Sequence, residues 1–215
     1  IAIMAQVLRS LGATVAELPG QRLRLCARHI TSVVAPPELV KRNRASFLVM
    51  GPLLARFGEA ASPPPGGDVI GQRPIDVHLT GFAILGAEIA QEGECYRARA
   101  PRLRGSYIFM DYPSHIGTEN LLMAAVLAEG QTTIKNASCE PEIVDLAQML
   151  TQMGARISGA GTSTIEVEGV PRLRGTAHGV IPDRIEAGTY AIAAAITGGE
   201  VELGPVVPEH MDSLL

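Results

Sequence analysis

The sequence predicts an α/β fold assembled from a unit of about 70 residues that occurs nearly three times. Two observations carry this. The pentapeptide Pro-Arg-Leu-Arg-Gly occurs at 101–105 and again at 171–175, a shift of 70 residues. The string Leu-Gly-Ala closes a helical pattern at 11–13 and at 85–87, with Met-Gly-Ala at 153–155. Each unit reads as helix, hairpin, crossover, helix, strand. One unit buries little apolar surface alone, so three are expected to pack around a shared core.

The elements follow in chain order. Residues 38–50 carry Val40, Arg44 and Phe47 on one row, which predicts a single helix. Arg44 beside that apolar row either reaches into a cleft or snorkels to solvent. Residues 62–74 form the most irregular segment. Three Pro stiffen it, and Gly66 and Gly67 free the backbone next to Asp68. Such a segment either moves as a unit and places Asp68, or is a surface loop with solvated Asp68 and Arg73. Pro74 to Gly86 predicts a helix with Ile75, Leu79 and Phe82 on one face. Arg73 lies at its N-terminus, where free backbone N–H groups add to its charge and favour an anion. His78 follows one turn later, and a lone His is more often structural than catalytic.

Ser114-His115-Ile116-Gly117-Thr118 precedes an apolar helix expected over 121–127. Small polar residues there cradle phosphate or cap the helix, and capping is the commoner use. Residues 124–134 and 191–203 each read as an Ala-rich helix end, a Gly and a strand. Pro141 opens a helix at the position where its missing N–H costs nothing. Ile143, Leu146, Ala147 and Leu150 form its apolar stripe, and Gly154 lies just beyond as the stop. Residues 156–158 and 164–168 alternate as two short strands around a Gly-rich turn.

Composition excludes several classes of function. The 47% hydrophobic and 19% charged residues suit a packed globule rather than a disordered chain. A net charge of −4, no basic block and no Trp argue against nucleic-acid binding. No apolar run approaches the ~18 residues of a membrane span, and no secretory signal opens the chain. Cys26, Cys95 and Cys139 are far apart, which gives neither a disulfide framework nor a zinc signature and fits a reducing cytoplasm. No Ser/His/Asp set, metal cluster, GxGxxG or P-loop occurs, so neither metal nor cofactor is expected. The chain begins at Ile1 and ends in an apolar pattern. The expectation is a piece of a longer protein.

The motifs themselves resemble a known family. Residues 65–78, Pro-Gly-Gly-Asp-Val-Ile-Gly-Gln-Arg-Pro-Ile-Asp-Val-His, closely resemble the mobile active-site loop of UDP-N-acetylglucosamine enolpyruvyl transferases. So do Arg44-Ala45-Ser46 with residues 51–58, the string Glu-Pro-Glu-Ile-Val-Asp at 140–145, and Pro-Asp-Arg-Ile-Glu at 182–186. The resemblance covers the whole chain but only about half of a complete family member. It implies an inside-out α/β prism with helices inside and sheets outside. Residues 1–181 would be most of one domain and 182–215 the start of a second, with the substrate cleft between them.

The resemblance also implies a chemistry. Such enzymes transfer the enolpyruvyl group of phosphoenolpyruvate to the 3-hydroxyl of UDP-N-acetylglucosamine and release phosphate, by addition and then elimination. This commits the sugar nucleotide to peptidoglycan. Asp68 takes the loop position where most members carry a Cys implicated as proton donor. Arg73 and Arg44 match arginines lining the site. Arg73, Pro74, Ile75, Asp76 and Val77 match the stretch that holds the uridine end, and His78 next to it is counted with the substrate-binding residues. Tyr112, Pro113, Ser114, His115 and Gly117 match the loop that touches the nucleotide. Two departures stand out: Asp68 for Cys, which implies resistance to fosfomycin, and Tyr112 where many members have a basic residue. Other parts of the family's constellation lie outside residues 1–215, so this chain alone is expected to be inactive. The alternatives are an enolpyruvylshikimate-phosphate synthase, against which the loop and the Glu-Pro-Glu-Ile-Val-Asp string argue, and a non-catalytic sugar-nucleotide-binding module.

Overall fold

Three copies of one local structure order the chain. In each, a helix ends on a Gly in the left-handed region and a β-hairpin follows. The computed structural model describes residues 1–67 and 74–215. The helices are α1 (Ala2–Ser10), α4 (Asp76–Ile84) and α6 (Pro141–Gln152), numbered in chain order with those below. Their hairpins are β1–β2 (Thr14–Leu18, Arg22–Cys26), β4–β5 (Glu88–Glu92, Cys95–Arg99) and β8–β9 (Arg156–Ser158, Thr164–Glu168).

The three closures match bond for bond. Gly12, Gly86 and Gly154 have φ of 101°, 97° and 104°, which a side chain would strain. Ala13, Ala87 and Ala155 donate back to the carbonyls of Leu8, Phe82 and Leu150, each at 2.9 Å. This is the 6→1 bond that satisfies helix-end carbonyls. The repeated pentapeptide has the same use in both places: the N–H of Arg104 donates to Leu85 O at 2.8 Å, and that of Arg174 to Met153 O at 2.9 Å. Thr31 N makes the equivalent bond to Leu11 O at 2.9 Å, without the pentapeptide. The repeat therefore exists in hydrogen bonding where the sequence has diverged.

Between the hairpins run α2 (Pro37–Val40), a 3₁₀ turn (Arg44–Val49), α3 (Met50–Phe57) and β3 (Glu59–Ser62), then β6 (Tyr107–Phe109), α5 (His115–Ala125) and β7 (Gln131–Lys135). β3 joins β5 and β4 in an antiparallel sheet of order β3-β5-β4. β7 pairs parallel with β6 and antiparallel with β9, in the order β6-β7-β9-β8. Each of these sheets joins a strand of one repeat to the hairpin of the next. The helices fill the middle: Phe47, Met50, Leu54, Phe82, Leu121 and Leu122 are all fully buried. β2, by contrast, is exposed along its whole length. Helices inside and sheets outside is thus the observed layering of residues 1–175.

Three expectations are corrected. The helix expected over 38–50 is interrupted. Asn43 adopts extended backbone angles (φ −150°, ψ 124°), and its side chain accepts the Ala45 N–H at 2.9 Å. A residue that hydrogen-bonds its own neighbouring backbone competes with the helix and restarts it. The helix expected from Leu121 begins instead at His115. Further, the strand pattern at 200–203 forms no strand. α7 (Arg184–Thr197) ends at Gly198 in the left-handed region, and no strand occurs among residues 176–215 to pair with that segment.

The contacts divide the chain into two compact units, Ile1–Gly175 and Thr176–Leu215. In the second, Asp183 caps α7 by accepting the N–H groups of Ile185 and Glu186 at 2.9 and 3.0 Å. Leu214 lies over Gly188, where an added Cβ would come within 2.8 Å.

Candidate functional site

Of the site residues named by resemblance, Pro74 to His78 and Tyr112 to Gly117 lie at the starts of α4 and α5. Asp68 and Arg73 lie outside the described residues. The approach to them is anchored: Gly66 and Gly67 donate to the carbonyls of Val40 and Lys41 at 3.1 and 3.2 Å. A Cβ on Gly66 would stand 1.8 Å from Lys41 O, so only Gly fits there. Pro63 and Pro65 are buried.

On the far side, Pro74 is exposed, Ile75 is buried as the N-cap of α4, and Asp76 sits in its first turn. Tyr112 precedes α5, and its Oη donates to Asp76 Oδ1 at 2.7 Å. Burial first, and then the Asp76 hydrogen bond, push the phenol up to about 12. Tyr112 is therefore a neutral donor over the whole physiological range, and it already spends its proton on Asp76. Pro113 is exposed. Ser114 is the N-cap of α5 and accepts the Gly117 N–H at 3.1 Å. The capping reading of Ser114 holds, and the helix it caps is longer than expected. Gly117 brings the two helix starts together, since a Cβ there would lie 2.9 Å from both Ser114 Cβ and Val77 Cγ2.

His115 Nε2 stands 3.5 Å from Glu119 and 3.9 Å from Glu142 of α6. Burial raises the Glu119 carboxyl, with His115 opposing and Glu142 and Glu140 adding to the rise. Arg44 is exposed, and among the described residues no hydrogen bond or ion pair engages its guanidinium. Its charge still acts on both His78 and Tyr112, which places it at the same corner. Among the described residues the site thus combines a cation with no hydrogen bond or ion pair and the N-terminal ends of two helices, an arrangement that suits an anion. No group of three or more His, Cys, Asp or Glu among the described residues could hold a metal ion. A cleft of about 430 Å³ lies elsewhere, between α6 and the β8–β9 turn, and is lined by groups without titratable chemistry such as Val144, Thr151 and Ile157.

His78 is buried, its ring edge-on to Phe47 at 5.1 Å and its Nδ1 3.0 Å from Asn120 Nδ2. Asn120 was missing from the sequence reading. An Asn at the head of an apolar helical run is its only signal, and its partners lie 42, 69 and 73 residues away.

The fold and this corner fit one class of protein. A family model described as EPSP synthase (3-phosphoshikimate 1-carboxyvinyltransferase) matches residues 1–215, and the chain belongs to that family. Within it, the chain is 52% identical over 213 residues to UDP-N-acetylglucosamine 1-carboxyvinyltransferase 1 of Caldanaerobacter subterraneus, covering 99% of this chain and 51% of that protein. It is 54% identical over 212 residues to UDP-N-acetylglucosamine 1-carboxyvinyltransferase 2 of Carboxydothermus hydrogenoformans, at 99% and 50% coverage. For the protein of that name in Gloeobacter violaceus the identity is 50% over 215 residues, at 100% and 47%. The chain spans about half the length of the curated relatives it matches. Among solved structures, an enolpyruvyl transferase from Streptomyces tendae matches with a TM-score of 0.74 at 23% identity, over 90% of this chain and 46% of that one. An EPSP synthase from Acinetobacter baumannii gives 0.68 at 20%, over 91% and 44%. These two likenesses establish the enolpyruvyl transferase fold. Among the described residues no helix is long and apolar enough to cross a membrane.

Proposed function

We propose that the complete protein transfers the enolpyruvyl group of phosphoenolpyruvate to the 3-hydroxyl of UDP-N-acetylglucosamine, with release of phosphate, as the first committed step of peptidoglycan precursor synthesis in the cytoplasm. The observation that carries this is identity of 50–54% along virtually the whole chain to proteins named for that activity. The geometry supports it, because an Arg44 with no hydrogen bond or ion pair among the described residues, near two helix N-termini, suits a phosphorylated substrate. On this reading residues 1–181 are most of one domain, residues 182–215 begin the second, and this half alone is inactive.

The chemistry divides into two steps. The sugar hydroxyl adds to C2 of phosphoenolpyruvate and loses its proton to a base, while an acid protonates C3. The resulting ketal then loses a C3 proton and expels phosphate, which regenerates the double bond. Asp68 is assigned as the acid. A carboxyl titrates near 3.9 when unperturbed, so it must be raised by burial or by the substrate phosphate to hold a proton near neutrality. A carboxylate is a poor nucleophile toward fosfomycin compared with a thiolate, so resistance to that inhibitor belongs to the proposal. Arg44 and Arg73 hold phosphate and carboxylate, and residues 74–77 with Tyr112, Pro113, Ser114, His115 and Gly117 hold the nucleotide. The acceptor is tested by calorimetric titration of the complete protein. UDP-N-acetylglucosamine binds, and shikimate 3-phosphate neither binds nor competes. The reverse pattern assigns an EPSP synthase.

A further inference from the structure

Asn120 is fully buried in α5 and uses every hydrogen-bonding group of its side-chain amide. Oδ1 accepts the N–H of Gly51, in the first turn of α3, at 2.7 Å. Nδ2 donates to Phe47 O at 3.1 Å and faces His78 Nδ1 at 3.0 Å. Two backbone partners fix the amide's orientation: a flip would set Oδ1 against a carbonyl and Nδ2 against an N–H. His78 Nδ1 must then accept, so its one ring proton resides on Nε2. Burial, and after it the Arg44 charge, hold this imidazole down at about 4, with Asp76 opposing. The charged groups facing it are Arg44 from the 3₁₀ turn and Asp76 from its own helix; α5 and α3 present the uncharged Asn120 and Gly51.

The same hub holds the turn that begins at Arg44. That turn is tied by the Phe47 carbonyl to α5 and by the Phe47 ring to His78 of α4. The guanidinium is thereby carried on backbone fixed from two helices. A charged His78 would place a second cation beside it and break the Asn120 bond. We propose that Asn120 and His78 are positioning residues, a buried amide–imidazole pair that keeps His78 as the neutral Nε2–H tautomer and fixes the turn bearing Arg44 for binding the anionic donor substrate. The inference rests on the reading of Arg44 as a cation for phosphoenolpyruvate.

The test uses the complete protein with labelled histidine. The imidazole ¹⁵N signals of His78 are expected to show an accepting Nδ1 and a protonated Nε2, unchanged from pH 5 to 8. In steady-state phosphate release, Asn120→Ala raises the KM for phosphoenolpyruvate about tenfold, within the range of coupled buried pairs, and leaves kcat within about threefold. A merely structural loss removes active enzyme and lowers the maximal rate at unchanged KM. His78→Asn puts an amide oxygen where Nδ1 accepts and keeps most of the affinity for phosphoenolpyruvate. His78→Gln, whose oxygen falls at the Nε2 place, does not, and it stands in for Asn120→Ala where that variant fails to fold. Unchanged KM in both Asn120→Ala and His78→Gln overturns the proposal, and so does a His78 ring that titrates between pH 5 and 8 or carries its proton on Nδ1. Wild-type protein that turns over no phosphoenolpyruvate removes the functional reading instead, and the ring signals still decide the tautomer.

Discussion

Single side chains at the helix starts set most of what the site can do. Asn43 breaks a helix that the apolar row of Val40 and Phe47 called for, because one amide oxygen takes the Ala45 N–H. Such local competition is hard to see in a pattern of apolar spacing. Ser114 was legible, since a small hydroxyl before an apolar run is a cap in most helices. Removing its hydroxyl in Ser114→Ala is expected to cost about 1 kcal/mol in urea unfolding. His78 gives a pH dependence with a definite sign. Its folded-state value of about 4 lies below the unfolded value of 6.5, so the unfolded chain binds the extra proton between them. The stability from this group is complete above pH 6.5 and is lost as pH falls toward 4, by an amount on the order of 3 kcal/mol. Urea midpoints at pH 4.5 and 7 measure it, and His78→Asn flattens the difference. On the proposed reading of Asp68, Asp68→Cys supplies a nucleophilic thiol, and the complete protein is expected to become open to inactivation by fosfomycin with covalent modification at residue 68.

At the scale of elements, the sequence was most informative where chemistry and geometry coincide. Pro141, the Ile143–Leu150 stripe and Gly154 placed α6 and its end, and the alternation at 156–158 and 164–168 placed β8 and β9. The close approach of α3 to α5 was not legible, because it depends on an absent side chain. A Cβ on Gly51 would lie 2.3 Å from Asn120 O, a backbone atom that cannot swing away. Gly51→Ala is therefore expected to destabilise by about 3 kcal/mol, despite the better helix propensity of Ala. On the outer face of β3-β5-β4, Arg97 bonds Glu59 at 2.5 Å and Glu92 at 2.7 Å, and Arg99 reaches the same two carboxylates at 3.1 and 3.3 Å. The Arg97 hydrogen bond is the main reason the Glu59 carboxyl lies below its usual range. These groups are partly exposed, so the network contributes modestly. Arg97→Met is expected to cost about 1 kcal/mol at low salt and less in 1 M salt.

For the molecule as a whole, the threefold repeat was the most legible feature. It rests on a few residues per unit, the helix-ending Gly and the strand behind it, that the geometry cannot replace. The candidate site was named chiefly through resemblance to a family, since spacing alone left the residue 62–74 segment and Arg44 with two readings each. The Tyr112–Asp76 bond and the Asn120 hub join segments far apart in the chain, and no local pattern announces them. The central claim is an activity of the complete protein. The most direct measurement is phosphate release from phosphoenolpyruvate by the full reading frame, with and without UDP-N-acetylglucosamine, and with fosfomycin in a parallel sample. The account predicts release that requires the sugar nucleotide and persists in fosfomycin. No release from a correctly folded complete protein would contradict it and leave a non-catalytic module with an enolpyruvyl transferase fold.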